Sequence, residues 1–229
     1  MKQFRFRDHR PENFSNPDLN VYLKKYWSAD PPVLRAEDAQ AIAPNWDEAF
    51  SQSAPLHLEI GSGNGFFLAG MAEKHKDRNW LGLEIRYKRV ILCAKKIQSK
   101  HLSNARIMRY DAWMVAELFP KASLSGLYTH HPDPWMKEKK AKKRLLNRAF
   151  CSWAVSALQP GAIWRIKTDF EQHILTVLDV CEDLPFIVTG RSHHIHRDGL
   201  PWDEDIQTNY EGKFRERGEP VHALELTRK

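Results

Sequence analysis

From Leu56 onward, short apolar runs bounded by Gly, Asp or Pro alternate with segments of helical period. This alternation is typical of β-α-β units around a parallel sheet. It predicts strands at 56–60, 80–85, 105–110, 125–130 and 161–167, and helices at 66–76, 87–99, 112–119, 141–158 and 170–181. The pattern weakens beyond residue 182, where the apolar runs 186–189 and 221–226 are candidates for two further strands. We therefore predict an α/β fold with a doubly wound, mostly parallel sheet flanked by helices, whose ligands bind beyond the carboxyl ends of the strands.

The first part of the chain follows a different pattern. Prolines interrupt any long helix up to residue 55, at positions 11, 17, 31, 32, 44 and 55. We predict an N-terminal arm with short helices over residues 1–54, one of them at 37–50, and a single domain over residues 55–229.

Composition narrows the class of protein. Of the 229 residues, 42% are hydrophobic and 28% charged, which is typical of a globular protein and too apolar for intrinsic disorder. No apolar stretch approaches the length of a membrane span, and the N-terminus lacks the apolar core of a secretion signal, so we expect a cytoplasmic protein without membrane contact. The three cysteines, Cys93, Cys151 and Cys181, are far apart and odd in number. This argues against a disulfide framework and against a CxxC-type zinc site.

The positive charge of the chain is local. The formal net charge is +6, and residues 137–148 alone carry seven basic residues and one acidic residue. The rest of the chain balances at 28 basic and 28 acidic residues. Taken alone, such a run is either a solvated helix face or a binding site for a polyanion, and the charge pattern leaves both interpretations open.

A glycine-rich turn follows the first predicted strand. The frame Glu59-Ile-Gly61-Ser-Gly63-Asn-Gly65 leads directly into an apolar helix. Alternate glycines permit a tight turn and the close approach of a ligand to backbone amides at a helix N-terminus. A dinucleotide fingerprint would require its third glycine at position 66, which is Phe66. Glu59 instead places a carboxylate beside the turn, which suits a cationic ligand group.

Acids also end the next two predicted strands. Glu84 lies 19 positions after Gly65, the usual place of an acid that binds ribose hydroxyls. Asp111 follows the third strand and is a candidate acceptor for the exocyclic amine of an adenine. Any one such acid is more often a helix cap. Three of them at successive strand ends, aligned with the glycine turn, predict a nucleoside-type ligand.

These features resemble the class I, Rossmann-like S-adenosylmethionine-dependent methyltransferases. Three further motifs resemble the tRNA (guanine-N7-)-methyltransferase family over about residues 55–229: His130-His131-Pro132-Asp133-Pro134-Trp135, Lys167-Thr168-Asp169-Phe170 and Thr208-Asn209-Tyr210-Glu211. The resemblance implies methyl transfer from S-adenosylmethionine to guanine N7 in tRNA, with a guanine of the variable loop as the expected target. Some relatives need a separate partner subunit, but for this chain we expect a monomer or homodimer without an obligatory protein partner.

The resemblance assigns roles by motif. The residues that would hold S-adenosylmethionine are Glu59, Gly61, Gly63, Gly65, Glu84, Asp111 and Asp133. Asp133 is also the residue most closely tied to catalysis. Lys137 and Asp169 would contact the substrate, and Thr208, Asn209, Tyr210 and Glu211 would close over the pocket. The basic run would bind tRNA phosphates through Lys139, Lys140, Lys142, Lys143 and Arg144, with a second contact at Arg5, Arg7 and Arg10.

The chain departs from the usual family pattern at a few positions. His130 and His131 stand where aromatic residues often occur, Phe170 replaces a common Trp, and Asn209-Tyr210 stands where Lys-Phe is frequent. These changes bear on pocket shape more than on the type of reaction.

Other interpretations of the sequence remain open. His193-His194-x-His196, near Asp198 and Asp203, has the composition of a metal site, but we favour a solvated loop and expect no metal. Alternative functions are methylation of another RNA or of a small molecule on the same fold, or RNA binding without catalysis.

Overall fold

The computed structural model describes Lys25 and residues 32–229, and an eight-stranded sheet runs through it. Its strands are β1 (Val33–Leu34), β2 (Leu56–Ile60), β3 (Asn79–Glu84), β4 (Ala105–Arg109), β5 (Leu124–His130), β6 (Leu158–Thr168), β7 (Phe186–Ser192) and β8 (His222–Arg228). They lie in the order β1-β4-β3-β2-β5-β6-β8-β7. Strands β1 to β6 pair in parallel, and β8 pairs antiparallel with both β6 and β7. The strand order reverses between β2 and β5, which is where ligands bind in sheets of this kind.

Helices cover both faces of the sheet. The α-helices are α1 (Ala36–Ile42), α2 (Phe66–Lys74), α3 (Tyr87–Ser99), α4 (Arg148–Ala157), α5 (Glu171–Cys181), α6 (Ile195–Asp198) and α7 (Asn209–Glu216), and 3-10 helices span Trp46–Ala49, Ala112–Glu117 and Glu138–Lys143. Helices α2 and α3 pack with Trp80 and Ile107 on one face. Helices α4 and α5 pack with Leu81 and Trp164 on the other. Every residue of β2 and β3 is buried, as expected for strands covered on both sides.

The predicted fold class is confirmed, since the sheet is mostly parallel and doubly wound. All five predicted strands are present, and the apolar runs 186–189 and 221–226 belong to the antiparallel strands β7 and β8. None of the helices in the described part of the chain is long and apolar enough to span a bilayer.

Three predicted helices need correction. The helix expected at 141–158 begins only at Arg148, because the Asn147 side chain accepts hydrogen bonds from the amides of Ala149 and Phe150 and so caps α4. The basic run forms the 3-10 helix Glu138–Lys143 instead. The segment 112–119 is also a 3-10 helix, and the helix expected at 37–50 is divided near Pro44, which cannot continue a helical hydrogen-bond pattern.

The described part of the N-terminal region packs onto the sheet. Strand β1 pairs with β4, and Trp46 and Phe50 belong to the main hydrophobic core. Residues 33–50 therefore share a core with the rest of the domain. The division at residue 54 stays a prediction, and the candidate tRNA contacts Arg5, Arg7 and Arg10 lie outside the described residues.

Candidate functional site

The glycine turn joins β2 to α2 at the point where the strand order reverses. Gly61, Gly63 and Gly65 have φ angles of +78°, +54° and +73°, a region that L side chains rarely adopt. A Cβ atom at Gly65 would lie 2.4 Å from the Cys93 sulfur, whereas one at Gly61 would meet no described atom within 4 Å. Gly65 is thus required for packing as well as conformation, while the space beside Gly61 is open to a ligand.

Glu84 holds this turn in place. Its Oε2 accepts a hydrogen bond from the Gly63 amide at 3.1 Å, and its Oε1 accepts from the amides of Ile85 and Arg86, both at 2.9 Å. The carboxylate therefore fastens the glycine turn to the end of β3. The proposed contact of Glu84 with a ribose stays a prediction.

Asp111 lies beyond β4, the neighbour of β3. Its Oδ1 accepts a hydrogen bond from the Trp113 amide at 3.0 Å and caps the 3-10 helix Ala112–Glu117. Glu59, Glu84 and Asp111 thus lie at or just beyond the carboxyl ends of three adjacent strands, as the sequence predicted. The contact of Asp111 with an adenine is likewise a prediction.

Glu59 is the buried carboxyl group beside the glycine turn. Its Oε1 lies 3.2 Å from the Nδ1 of His130, and its buried Oε2 has no hydrogen-bond partner of normal geometry among the described residues. Burial raises the pKa of Glu59 to about 8, an effect that the nearby Ser62 side chain and Leu68 amide offset only partly. Burial also holds the pKa of His130 well below its usual range. An unpaired acceptor at this position fits the ammonium group of an amino acid moiety such as that of S-adenosylmethionine.

Asp133 lies on the loop that follows β5. This loop turns sharply, since His131 and Trp135 have φ angles of +46° and +40°. Asp133 is exposed. Because His130 ends β5 and contacts Glu59 on β2, the Asp133 loop and the glycine turn leave the sheet side by side.

Arg144 stabilises the loop that carries Asp133 through hydrogen bonds to its backbone. Its guanidinium is buried and donates to the carbonyl oxygens of Pro134 and Trp135, at 3.1 and 3.3 Å. It also lies 5.1 Å from the centre of the Phe170 ring. The sequence grouped Arg144 with the phosphate-binding residues. In the arrangement seen here the guanidinium donates to two backbone carbonyls, and its contact with a phosphate stays a prediction.

The lysines of the basic run line the same loop. Lys139 and Lys142 are exposed on the 3-10 helix, and so is Lys137 just before it. The ammonium groups of Lys140 and Lys143 lie 5.4 and 4.8 Å from the centre of the Trp135 ring, within cation–π range. Lys139, Lys140, Lys142 and Lys143, here called the basic patch, therefore directly adjoin the loop that carries Asp133.

A buried lysine organises the opposite side of the site. Lys167, near the end of β6, is fully buried, and its Nζ donates to Asp205 at 2.7 Å and to Glu211 at 2.6 Å. Burial raises the pKa of Asp205. No role was predicted for Lys167, although a lysine at the end of the run Ile163-Trp-Arg-Ile-Lys167 is a signal for a buried ion pair.

Asp169 and helix α7 complete this side. The Oδ1 of Asp169 lies 3.1 Å from the Nδ1 of His131. Burial alone would raise the pKa of Asp169, but the hydrogen bond with His131, a backbone hydrogen bond and the nearby His131 and His173 rings together lower that pKa. The His131 ring stacks on Phe214 of α7, with 5.2 Å between ring centres. The structure thus brings Asp169 close to α7.

The motif at 208–211 begins α7. Thr208 caps the helix, because its Oγ1 accepts a hydrogen bond from the Glu211 amide at 3.1 Å. Glu211 is buried, while Asn209 and Tyr210 are exposed. A depression between α7 and the start of α2 is lined by Phe66, Gln207, Thr208, Asn209, Gly212, Lys213 and Glu216. The depression thus lies beside Phe66, which directly follows the glycine turn, and includes the predicted substrate residues Thr208 and Asn209.

The fold and the site together define a class I S-adenosylmethionine-dependent methyltransferase. Residues 53–224 match a family model described as "Putative methyltransferase". In fold, the chain is similar to the crystal structure of the 16S rRNA methyltransferase KamB, with a TM-score of 0.58 and 14% identity over 80% of this chain and 92% of that one.

Sequence relatives define the family more closely. The tRNA (guanine-N(7)-)-methyltransferase of Limosilactobacillus reuteri is 31% identical over 211 residues, covering 90% of this chain and 98% of the relative. The enzyme of the same name from Levilactobacillus brevis is 32% identical over 189 residues, covering 82% and 86%. The chain belongs to the tRNA (guanine-N(7)-)-methyltransferase family, which confirms the predicted resemblance.

Proposed function

We propose that this protein transfers a methyl group from S-adenosylmethionine to N7 of a guanine in tRNA, at a position in the variable loop. The observation that carries the proposal is the contact between Glu59 and His130, 3.2 Å apart. It brings the glycine turn, where the cofactor would bind, beside the loop that carries Asp133. The same loop adjoins the basic patch. We also infer that the protein acts in the cytoplasm and needs no separate partner chain.

The cofactor side would be formed by residues at or just beyond the carboxyl ends of β2, β3 and β4. When bound, S-adenosylmethionine supplies an electrophilic sulfonium methyl group. Glu59 would accept hydrogen bonds from the ammonium group of its amino acid moiety. Glu84 would bind the ribose while holding the glycine turn, and Asp111 would accept from the adenine amine.

The substrate side needs carboxylates rather than a general base. Guanine N7 carries a lone pair and no proton, so the reaction depends mainly on holding N7 in line with the methyl group. The N1–H and N2 amine of guanine are donors that match the carboxylates of Asp133, Asp169 and Glu211. Methylation makes the ring cationic, and these carboxylates would also stabilise the developing charge. Lys137 would contact the substrate. The residues that would bind tRNA phosphates are Lys139, Lys140, Lys142, Lys143 and Arg144.

Methyl transfer by the purified chain alone tests the proposal. The protein is incubated with unmodified tRNA and labelled S-adenosylmethionine, and the modified nucleoside is identified and mapped. We expect 7-methylguanosine in the variable loop, and loss of the label when that guanine is replaced in the transcript. Label in another position would refute the assigned site, label in another nucleoside would refute the reaction, and tRNA binding without transfer would favour a non-catalytic relative.

The role of Asp133 is tested separately. Asp133→Ala should still bind S-adenosylmethionine in calorimetry, because the other predicted cofactor contacts remain, yet it should lose methyl transfer. Asp203→Ala, which removes an exposed acid from another loop, should keep both. Full activity of Asp133→Ala would exclude the catalytic role.

A further inference from the structure

Three metal-binding side chains meet at one corner of the sheet. Glu171 is the first residue of α5, His222 is the first of β8, and His193 directly follows β7. Strand register brings them together, because Thr168 pairs with His222 and Ser192 pairs with Ala223. The juxtaposition is therefore set by the backbone of three neighbouring strands.

The ligand atoms of these residues are close enough to share one ion. One atom from each residue lies within 4.8 Å of the other two. His193 Nδ1 and Glu171 Oε1 are 3.6 Å apart, which is long for a hydrogen bond. Ligands of a tetrahedral zinc ion, each at about 2.1 Å from the metal, are separated by about 3.4 Å. Small rotations of the two exposed side chains, Glu171 and His193, would bring all three atoms to such distances around the buried His222.

We propose that Glu171, His193 and His222 bind a divalent transition-metal ion, with zinc as the favoured ion. Two imidazole nitrogens and one carboxylate suit zinc and other divalent first-row transition metals, whereas calcium and magnesium prefer oxygen ligands. Two of the ligands are exposed, so further coordination positions are open to water or to a substrate group.

This set differs from the one suggested by the sequence. The spacing of His193-His194-x-His196 drew attention to three histidines, but of these the structure places only His193 in the cluster. The rings of His194 and His196 instead contact each other, with 5.8 Å between their centres. Glu171 and His222 are 51 positions apart in the chain, so no local motif could have indicated their pairing.

An ion at this corner would connect α5, β7 and β8. Glu171 lies two positions after Asp169, so the ion would also fix the turn that carries Asp169. The cluster would then act as a structural tie at the edge of the predicted substrate pocket. This inference does not depend on the proposed methyl transfer.

Zinc binding by tag-free, metal-depleted full-length protein tests the proposal. Calorimetric titration with Zn²⁺ should give one ion per chain. Glu171→Ala and His193→Ala, both at exposed positions, should each weaken binding by at least about tenfold, which is the lower range for loss of even an outer-shell partner. His196→Ala removes a neighbouring histidine outside the cluster and should leave Zn²⁺ affinity unchanged. Co²⁺ should give the visible absorption of a four- or five-coordinate site, and this absorption should be lost in the same two variants.

Three results would overturn the assignment. The first is an absence of stoichiometric binding by the unaltered protein. The second is unchanged Zn²⁺ affinity in the Glu171→Ala/His193→Ala double variant, which would place any bound ion elsewhere. The third is an equal loss of affinity in His196→Ala. Circular dichroism of each variant shows that a loss of binding is not a loss of fold.

Discussion

Replacing Glu59 by Gln should stabilise the cofactor-free protein in a pH-dependent way. Burial raises the pKa of Glu59 from its ordinary value of 4.5 to about 8. Between these values the folded state binds a proton that the unfolded chain releases, so folding stability falls as the pH rises from 4.5 to 8. At about 1.4 kcal/mol per pKa unit, the loss is about 3 kcal/mol at pH 7 and about 5 kcal/mol above pH 8. Gln has nearly the same shape and no charge to bury, so it avoids this loss.

Urea unfolding of both proteins at pH 5, 7 and 8.5, without cofactor, measures the effect. The stability difference between Glu59→Gln and the unaltered protein should be small at pH 5 and should grow to about 3 kcal/mol at pH 7. Glu48→Gln, which removes an exposed carboxylate, serves as the matched control and should show no such growth. A difference that stays constant from pH 5 to 8.5 would refute the argument, because it would mean that Glu59 is not held protonated by burial.

The same substitution should weaken cofactor binding. An ammonium group requires the ionised carboxylate, so the affinity of the unaltered protein for S-adenosylmethionine should fall by up to about tenfold for each pH unit below 8. Glu59→Gln should bind more weakly at pH 8 and lose this pH dependence. Ionisation of Glu59 would then destabilise the cofactor-free protein, and binding of S-adenosylmethionine would favour the ionised form. Equal pH profiles in calorimetry would contradict the assigned contact.

Three further predictions concern the turn, the buried ion pair and the basic patch. Gly65→Ala should lower the free energy of unfolding by about 2–5 kcal/mol, because it adds backbone strain and a clash with Cys93. Gly61→Ala adds backbone strain alone and should lower it by only about 1–2 kcal/mol. Equal losses of the two variants in urea titrations would exclude the clash. Lys167→Met should lower the free energy of unfolding by about 3–5 kcal/mol, because it leaves Asp205 and Glu211 unpaired, and Lys167→Arg should recover part of that loss. An unchanged free energy of unfolding in Lys167→Met would show that the ion pair is not buried in solution. In the basic patch, Lys139, Lys140, Lys142 and Lys143 are changed together to Glu. This change should weaken tRNA binding and lower the slope of log affinity against log salt concentration by about 0.7–0.9 per lost phosphate contact. An unchanged slope would assign these lysines to solubility.

Hydrophobic periodicity predicted the sheet because it reports local burial. The strands around Leu58, Leu81 and Ile107 are rich in buried apolar residues, and the acids at or just beyond their carboxyl ends fall at one edge of any parallel sheet. Glu59, Glu84 and Asp111 could therefore be placed without knowing the strand order.

The errors came from tertiary contacts and local capping. The helix predicted at 141–158 starts only at Arg148 because Asn147 caps α4, and residues 138–143 form a 3-10 helix instead. The partners of Lys167 lie 38 and 44 positions away, beyond the reach of any periodicity. Such pairings follow from strand order and loop course, which the hydrophobic pattern does not specify.

The ion pair beneath α7 has an electrostatic imbalance. One ammonium group, that of Lys167, faces two carboxyl groups, those of Asp205 and Glu211. When all three groups are ionised, the trio carries one surplus negative charge in a poorly solvated place. A neutral guanine gains little from such a field, but a ring that has just become cationic gains much more. With the base bound beside Glu211 as proposed, this surplus would favour methyl transfer. It would also hold the methylated base more tightly than the unmodified one, so departure of the product would become a slow step of turnover.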